Sequence, residues 1–167
     1  MNYNGIAECD VLNGTGFRVV LFVSGCDHCC PGCHNKETWN YNFGHPFTEE
    51  TKEYIFSCLD KDYIDGLTIT GGDPFYHKNR NSVFKLISEV REKYGYTKDI
   101  WVWTGYTMYE LNDMQLPINE IDVIVDGRFE LDKRDVSLKF RGSSNQKIWY
   151  RVTSDGLWCT REDEDER

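Results

Sequence analysis

The hydrophobic residues of this chain are concentrated in four short runs that predict β-strands. The runs are residues 17–23, 67–70, 100–104 and 121–126. Each run is rich in β-branched or aromatic residues and is too short for a typical helix. Their nearly continuous apolar character indicates burial on both faces, which is typical of strands in a parallel sheet.

Segments with helical periodicity lie between these runs. Thr48 is suited to cap a helix with an acidic first turn, because its hydroxyl can accept from free backbone N–H groups. The expected apolar face of this first helix comprises Tyr54, Ile55, Cys58 and Leu59. A second helix is predicted over about 81–94 with Gly95 as its C-cap, and a third, shorter helix over 108–114.

The alternation of strands and helices predicts an α/β fold with a mostly parallel sheet, because parallel neighbours are joined by right-handed crossovers. The chain has 167 residues, which suits one domain, whereas a complete (β/α)₈ barrel usually needs roughly 200 residues or more. We therefore expect a partial, incomplete β/α barrel with an open side. This domain is expected to span residues 1–160, followed by an acidic C-terminal tail at residues 161–167.

Every predicted strand runs into a loop that contains glycine. The four strand ends read Ser24-Gly25-Cys26, Gly71-Gly72-Asp73-Pro74, Gly105-Tyr106 and Gly127-Arg128. Functional groups of parallel sheets gather at the C-terminal ends of the strands. The functional site is therefore expected at this rim.

The net charge, the N-terminal residues and the length of the apolar stretches indicate what the protein binds and where it is located. The formal net charge is −9 and the pI is about 4.9, which disfavours a protein that binds nucleic acid or an anionic membrane. Residues 1–6 show no basic segment followed by an apolar one, so no signal peptide is expected. No apolar stretch approaches the roughly 20 residues that span a bilayer. We expect a cytoplasmic protein in a reducing compartment.

Seven cysteines are many for a reducing compartment, and four of them fall within residues 26–33. They are Cys9, Cys26, Cys29, Cys30, Cys33, Cys58 and Cys159. A disulfide framework would spread its cysteines along the chain, so the clustered thiols indicate a metal or catalytic site. Cys58 is expected in the core, because it lies on an apolar helix face.

Cys26, Cys30 and Cys33 follow a C-x3-C-x2-C spacing directly after the first strong strand. Three thiolates from one loop can ligate three irons of a [4Fe–4S] cluster and leave the fourth iron open. Two alternatives stay open: unligated structural cysteines, or a zinc site built from the pairs Cys26/Cys29 and Cys30/Cys33. The zinc pairs are adjacent, so the loop would have to reverse at once. Cys29 is interpreted as a non-ligand, although it could support another register.

This cysteine loop, followed by a Gly-Gly-acid motif, resembles the radical S-adenosylmethionine enzymes. Five segments narrow the resemblance to the activating enzymes of anaerobic ribonucleoside-triphosphate reductase. They are NGTGFR (13–18), FVSGC (22–26), TGGDP (70–74), WVWTGY (101–106) and RGSSNQ (141–146). The resemblance covers about residues 2–158, and it implies a [4Fe–4S] cluster on the three cysteines and S-adenosylmethionine bound at the open iron.

The resemblance also implies which residues contact S-adenosylmethionine. They are Gly71, Gly72, Asp73 and Pro74 beside its amino group, and Gly32, Cys33 and His34 beside its adenine. Two adjacent glycines let the backbone approach a ligand closely, and carbonyls there can accept from an ammonium group. Many relatives carry Glu where Asp73 stands, and the shorter side chain favours backbone contacts over a direct carboxylate contact. The His34 imidazole can stack on adenine.

The resemblance implies a glycyl-radical activating enzyme. Reductive cleavage of S-adenosylmethionine at the cluster would generate a glycyl radical on anaerobic ribonucleoside-triphosphate reductase, with a flavodoxin-like protein as the electron donor. Two other functions stay open. The chain could activate another glycyl-radical enzyme, such as one of the formate-lyase type, or it could be a non-enzymatic zinc or redox-sensing module.

Overall fold

A computed structural model of the chain describes residues 1–152 and 157–160. The predicted acidic tail at 161–167 lies outside these residues. The strands of the described part are β1 Asn2–Asp10, β2 Arg18–Val23, β3 His45–Pro46, β4 Gly66–Gly71, β5 Asp99–Trp103, β6 Val123–Asp126, β7 Lys147–Arg151 and β8 Trp158–Thr160. The α-helices are α1 Glu49–Leu59, α2 Arg80–Tyr94 and α3 Met108–Asp113. Short 3₁₀ helices occupy Lys36–Trp39, Ile118–Glu120 and Leu131–Lys133.

All of these strands belong to one sheet, in the order β3-β1-β2-β4-β5-β6-β7-β8. The four strands predicted from the sequence are β2, β4, β5 and β6, and they pair in parallel as expected. The flanking strands pair antiparallel, so the sheet as a whole is only partly parallel. Hydrophobic runs did not predict these flanking strands, because most of their residues are half-exposed or exposed.

The three predicted α-helices are present, and their ends follow from local chemistry. Thr48 caps α1 in a reciprocal pair with Thr51, and Gly95 ends α2 with a positive φ of 58°. The prediction that Tyr54 lies on the buried face of α1 was wrong: its side chain is exposed, and its hydroxyl donates to Glu8. Within the described residues, no helix is long and apolar enough to cross a membrane.

The two faces of the sheet carry different side chains. Val19, Leu21 and Val23 belong to the main core with the apolar faces of α1 and α2, and Cys58 of α1 is buried there as expected. Because side chains alternate along a strand, the other residues of β2 face the opposite side of the sheet. A second, smaller core around Trp101 lies on that opposite side. The helices therefore cover one face and leave the other for the functional site.

Arg18 is the largest charged side chain that is fully buried. Its guanidinium lies 2.7 Å from the Asp99 carboxylate, donates to Thr68 Oγ1 at 2.7 Å, and lies 5.3 Å from the centre of the Trp101 ring. Burial lowers the pKa of Arg18, and the charge of Asp99 opposes that shift. The buried guanidinium is therefore paired with a carboxylate of the same chain.

We expect Arg18→Met to lower the free energy of unfolding by about 3 kcal/mol, because Asp99, Thr68 and nearby carbonyls lose their charged donor. Urea denaturation of the metal-free protein measures this loss. Lys61→Met is the matched control, because it removes an exposed 3.3 Å ion pair with Glu8 and should cost less than about 1 kcal/mol. Equal losses in the two variants would contradict a stabilising role for the buried guanidinium.

Candidate cluster and cofactor site

A cavity of about 660 Å³ lies at the C-terminal ends of β2, β4 and β5 and is bordered by the chain after β6. This volume is in the range of small-molecule sites. The sheet contributes Phe22, Thr70 and Trp103 to its lining, each from a different strand. The cavity occupies the face of the sheet opposite α1 and α2. It is therefore at the rim where parallel strands are expected to present functional groups.

Three of the clustered cysteines line this cavity: Cys26, Cys30 and Cys33. Cys29 is exposed and does not belong to the described lining. Its backbone adopts a left-handed conformation with φ 48°, which is unusual for a residue other than glycine. This turn separates Cys29 from Cys30, so adjacent thiols face different surroundings. The zinc pairing of Cys26 with Cys29 would require the exposed thiol to enter the cavity.

Burial in the cavity opposes ionisation of two thiols, those of Cys26 and Cys30. Burial raises the pKa of Cys26 to about 12, and the neighbouring thiols Cys30 and Cys33 add to that shift. Burial also raises the pKa of Cys30. The thiolate is the form that ligates a metal, so these sulfurs need positive charge close by. Iron would supply that charge, and three cysteines that line one cavity fit a cluster that keeps one iron for another ligand.

Five of the predicted cofactor contacts also line the cavity: Gly32, Cys33, His34, Gly71 and Gly72. His34 is exposed there, as an imidazole at a cavity mouth would be. Asp73 and Pro74 do not belong to the described lining and are buried. The structure therefore brings the two glycines to the cavity and turns the following carboxylate into the protein.

The glycine loop is tied to the cysteine loop by backbone hydrogen bonds. Gly72 N donates to Val23 O at 2.7 Å, and Asp73 N donates to Gly25 O at 2.8 Å. A Cβ atom at Gly72 would lie 2.6 Å from Gly25 O and 2.8 Å from Thr38 O. Only glycine fits this contact without moving backbone.

The Asp73 carboxylate is satisfied within the chain. It accepts from Phe75 N at 2.7 Å, from Thr104 Oγ1 at 3.0 Å and from Gly105 N at 2.8 Å. Its second oxygen also lies 2.8 Å from His28 Nε2. The sulfur of Cys26 and ligand atoms of His28 and Asp73 fall within 4.8 Å of one another. The carboxylate thus joins the loops that follow β4 and β5 to the cysteine loop.

Several cavity residues were not assigned a role from the sequence. They are His28, Trp103, Phe129, Arg134, Arg141 and Gln146. Gln146 connects two parts of the rim, because its Oε1 accepts from Gly142 N at 2.8 Å and its Nε2 donates to Gly127 O at 2.9 Å. Most of these residues follow the last predicted strand, where no hydrophobic pattern indicated structure. The His28 position inside the cysteine spacing was the signal available.

Asp126 is a second acidic residue at the rim, at the end of β6. Its buried carboxylate accepts from Met108 N at 2.7 Å and from Lys147 N at 3.1 Å. Burial raises its pKa. These bonds fix the start of α3 and of β7 beside the rim, so the described contacts of Asp126 are structural.

The fold and the thiol-lined cavity agree with comparisons to known proteins. A family model described as a 4Fe-4S single cluster domain matches residues 12–149. The chain is therefore a protein of the 4Fe-4S single cluster class. Anaerobic ribonucleoside-triphosphate reductase-activating proteins are similar over nearly the whole chain. That of Enterobacteria phage T4 is 46% identical over 158 residues, covering 95% of this chain and 98% of the relative.

Two bacterial relatives with the same name support this relationship. The protein of Escherichia coli K12 is 46% identical over 151 residues, covering 89% of this chain and 97% of the relative. The protein of Pasteurella multocida is 45% identical over 158 residues, covering 92% and 99%. The chain belongs to the family of anaerobic ribonucleoside-triphosphate reductase-activating proteins.

Proposed function

We propose that this chain generates a glycyl radical on anaerobic ribonucleoside-triphosphate reductase, using a [4Fe–4S] cluster and S-adenosylmethionine. The observation that carries the proposal is the shared cavity of Cys26, Cys30 and Cys33 with the glycine loop at 71–72. The names of the relatives indicate the reductase as the target. A partial β/α barrel of the radical S-adenosylmethionine type accounts for a parallel sheet centre with helices on one face.

The cavity residues divide into a set for the cluster and a set for S-adenosylmethionine. Cys26, Cys30 and Cys33 would hold three irons, and the fourth would remain for the cofactor. When both groups are bound, they would supply the one-electron chemistry that abstracts a hydrogen atom from a glycine, with the electron coming from an external donor. Peptide carbonyls at 71–72 would accept from the cofactor's ammonium group, and residues 32–34 would flank its adenine.

The remaining lining would exclude water and admit a polypeptide. Phe22, Trp103 and Phe129 present apolar surface to the cavity, which favours burial of the reactive group away from solvent. The helices α1 and α2 pack on the other face of the sheet, so they leave this side accessible to a large substrate. A segment of the reductase that carries the reactive glycine is the substrate we propose, and a flavodoxin-like protein is the proposed electron donor.

Anaerobic reconstitution with iron and sulfide tests the proposal. We expect about four irons per chain and a reduced-cluster electron paramagnetic resonance (EPR) spectrum that changes when S-adenosylmethionine is added. With a reductant and the reductase, a glycyl-radical signal should appear. A zinc-only protein, or a cluster whose spectrum ignores S-adenosylmethionine, would sink the proposal. A signal with a formate-lyase-type partner alone would support the other activating function.

A further inference from the structure

His28 lies within the cysteine spacing, yet its side chain is only 6% exposed. Its Nε2 lies 2.8 Å from Asp73 Oδ2, and its Nδ1 accepts from Arg128 Nε at 3.2 Å. These partners assign the ring proton to Nε2, because that nitrogen faces a carboxylate and the other faces a donor. The imidazole is therefore held from both sides.

The His28 ring packs against Gly105 and Tyr106 of the loop after β5. A Cβ atom at Gly105 would lie 2.3 Å from the His28 ring, so the glycine makes room for the imidazole. The Tyr106 ring meets it edge-on with centroids 4.5 Å apart. Since Gly105 N also donates to Asp73, the loop after β5 supports both members of the pair.

The contacts of His28 extend beyond this pair to α3. Arg128, which donates to the imidazole, also lies 3.0 Å from the Glu110 carboxylate. Glu110 takes part in the reciprocal cap of α3 with Thr107. The imidazole thus connects the cysteine loop to the loops after β4 and β5, to the chain after β6 and to a helix start.

We infer that His28 is a positioning residue that sets the cysteine loop against the loop that binds S-adenosylmethionine. The inference rests on the proposed function. His28 lies two residues from both Cys26 and Cys30, and Asp73 directly follows Gly72. The backbone bonds from Gly72 and Asp73 hold the chain before Cys26, and the 2.8 Å side-chain contact ties the middle of the cysteine loop to the glycine loop. The described hydrogen bonds of the ring are to Asp73 and Arg128 and not to a thiol.

The test separates cluster retention from cofactor affinity. In reconstituted His28→Ala, we expect iron and sulfide contents equal to those of the wild type. The affinity for S-adenosylmethionine, measured anaerobically by equilibrium dialysis, should fall roughly tenfold or more, because the bond that sets the loop spacing is lost. The EPR change on adding the cofactor should shift to correspondingly higher concentrations. The control is His77→Ala, which removes an exposed 3.4 Å pair with Asp27 and should bind as the wild type does.

Two polar variants keep the inference testable if His28→Ala fails to fold. The amide of Gln reaches the position of the imidazole Nε2, whereas that of Asn reaches only the position of Nδ1. We therefore expect His28→Gln to restore affinity to within about threefold, and His28→Asn to remain about tenfold weaker. Equal affinities of the Gln and Asn variants would overturn the inference.

Three further results would overturn either the inference about His28 or the proposed function. If His28→Ala folds and binds S-adenosylmethionine as the wild type does, His28 does not position the loops. If it loses the cluster while folded, its role is in cluster retention and the inference is overturned. A wild-type protein that holds a cluster but binds no S-adenosylmethionine would instead refute the proposed function.

Discussion

We expect Cys30→Ser to retain no [4Fe–4S] cluster after anaerobic reconstitution and to form no glycyl radical on the reductase. Cys30 is one of three thiols that line the cavity, and each ligates a different iron in the proposed arrangement. A hydroxyl is a poor substitute for a thiolate at iron. Iron and sulfide analysis, together with the visible absorption of the cluster, measures the loss.

Cys29→Ser is the matched control for this variant, because it makes the same change at the preceding residue. Cys29 is exposed and lies outside the described cavity lining. We therefore expect its iron content and its activity to remain within about twofold of the wild type. A Cys29→Ser protein that loses the cluster would show that the loop uses a different set of ligands.

We expect Gly72→Ala to lose most of its affinity for S-adenosylmethionine. The added Cβ would lie 2.6 Å from Gly25 O and 2.8 Å from Thr38 O. Both are backbone atoms that cannot rotate away, so the loop must move. A displacement of about 1 Å at a reactive site can cost roughly a hundredfold in rate, and overpacking of this kind costs about 1–3 kcal/mol of stability. Equilibrium dialysis measures the loss of affinity, the rate of glycyl-radical formation measures the loss of activity, and thermal unfolding measures the loss of stability.

Gly5→Ala is the control for Gly72→Ala. A Cβ at Gly5 meets no atom within 4 Å, so the same added methyl group should leave the affinity and the stability within about 0.5 kcal/mol of the wild type. If Gly72→Ala binds S-adenosylmethionine as tightly as Gly5→Ala does, the glycine loop does not contact the cofactor.

The central part of the fold was predictable from the sequence because its signals are local. Continuous apolar runs predict β2, β4, β5 and β6, and the strand ends show the glycine rim directly. The helix caps Thr48 and Gly95 act within a few residues of their own helices. Patterns of this kind depend on neighbours along the chain, so one sequence contains them.

The edges of the sheet depend on contacts that no local pattern encodes. β7 is only five residues long, with one buried residue, Ile148, and it is set in place by pairing with β6. The error at Tyr54 has a similar origin, because its hydroxyl finds Glu8 in a strand 46 residues away. Hydrophobicity alone could not predict that the tyrosine of α1 would be exposed.

The functional site also combines features that local sequence predicts with features that depend on distant contacts. The spacing of Cys26, Cys30 and Cys33 indicated a cluster, whereas the contact of His28 with Asp73 joins residues 45 positions apart. Gln146 at the rim likewise bonds to Gly127, 19 residues earlier. Spacing can suggest which residues ligate a metal, but the residues that orient them become visible only when the strand ends meet.

The backbone bonds around Gly25 have a consequence for how the cluster is acquired. Gly25 N donates to Thr38 O at 2.6 Å, and Gly25 O accepts from Asp73 N at 2.8 Å, so the chain immediately before the first thiol is anchored by peptide groups rather than by metal. A preorganised loop loses little conformational entropy when it takes up a ligand. We therefore expect oxidative loss of the cluster to leave the start of the cysteine loop in place, so that restoring iron and sulfide does not require this part of the chain to refold.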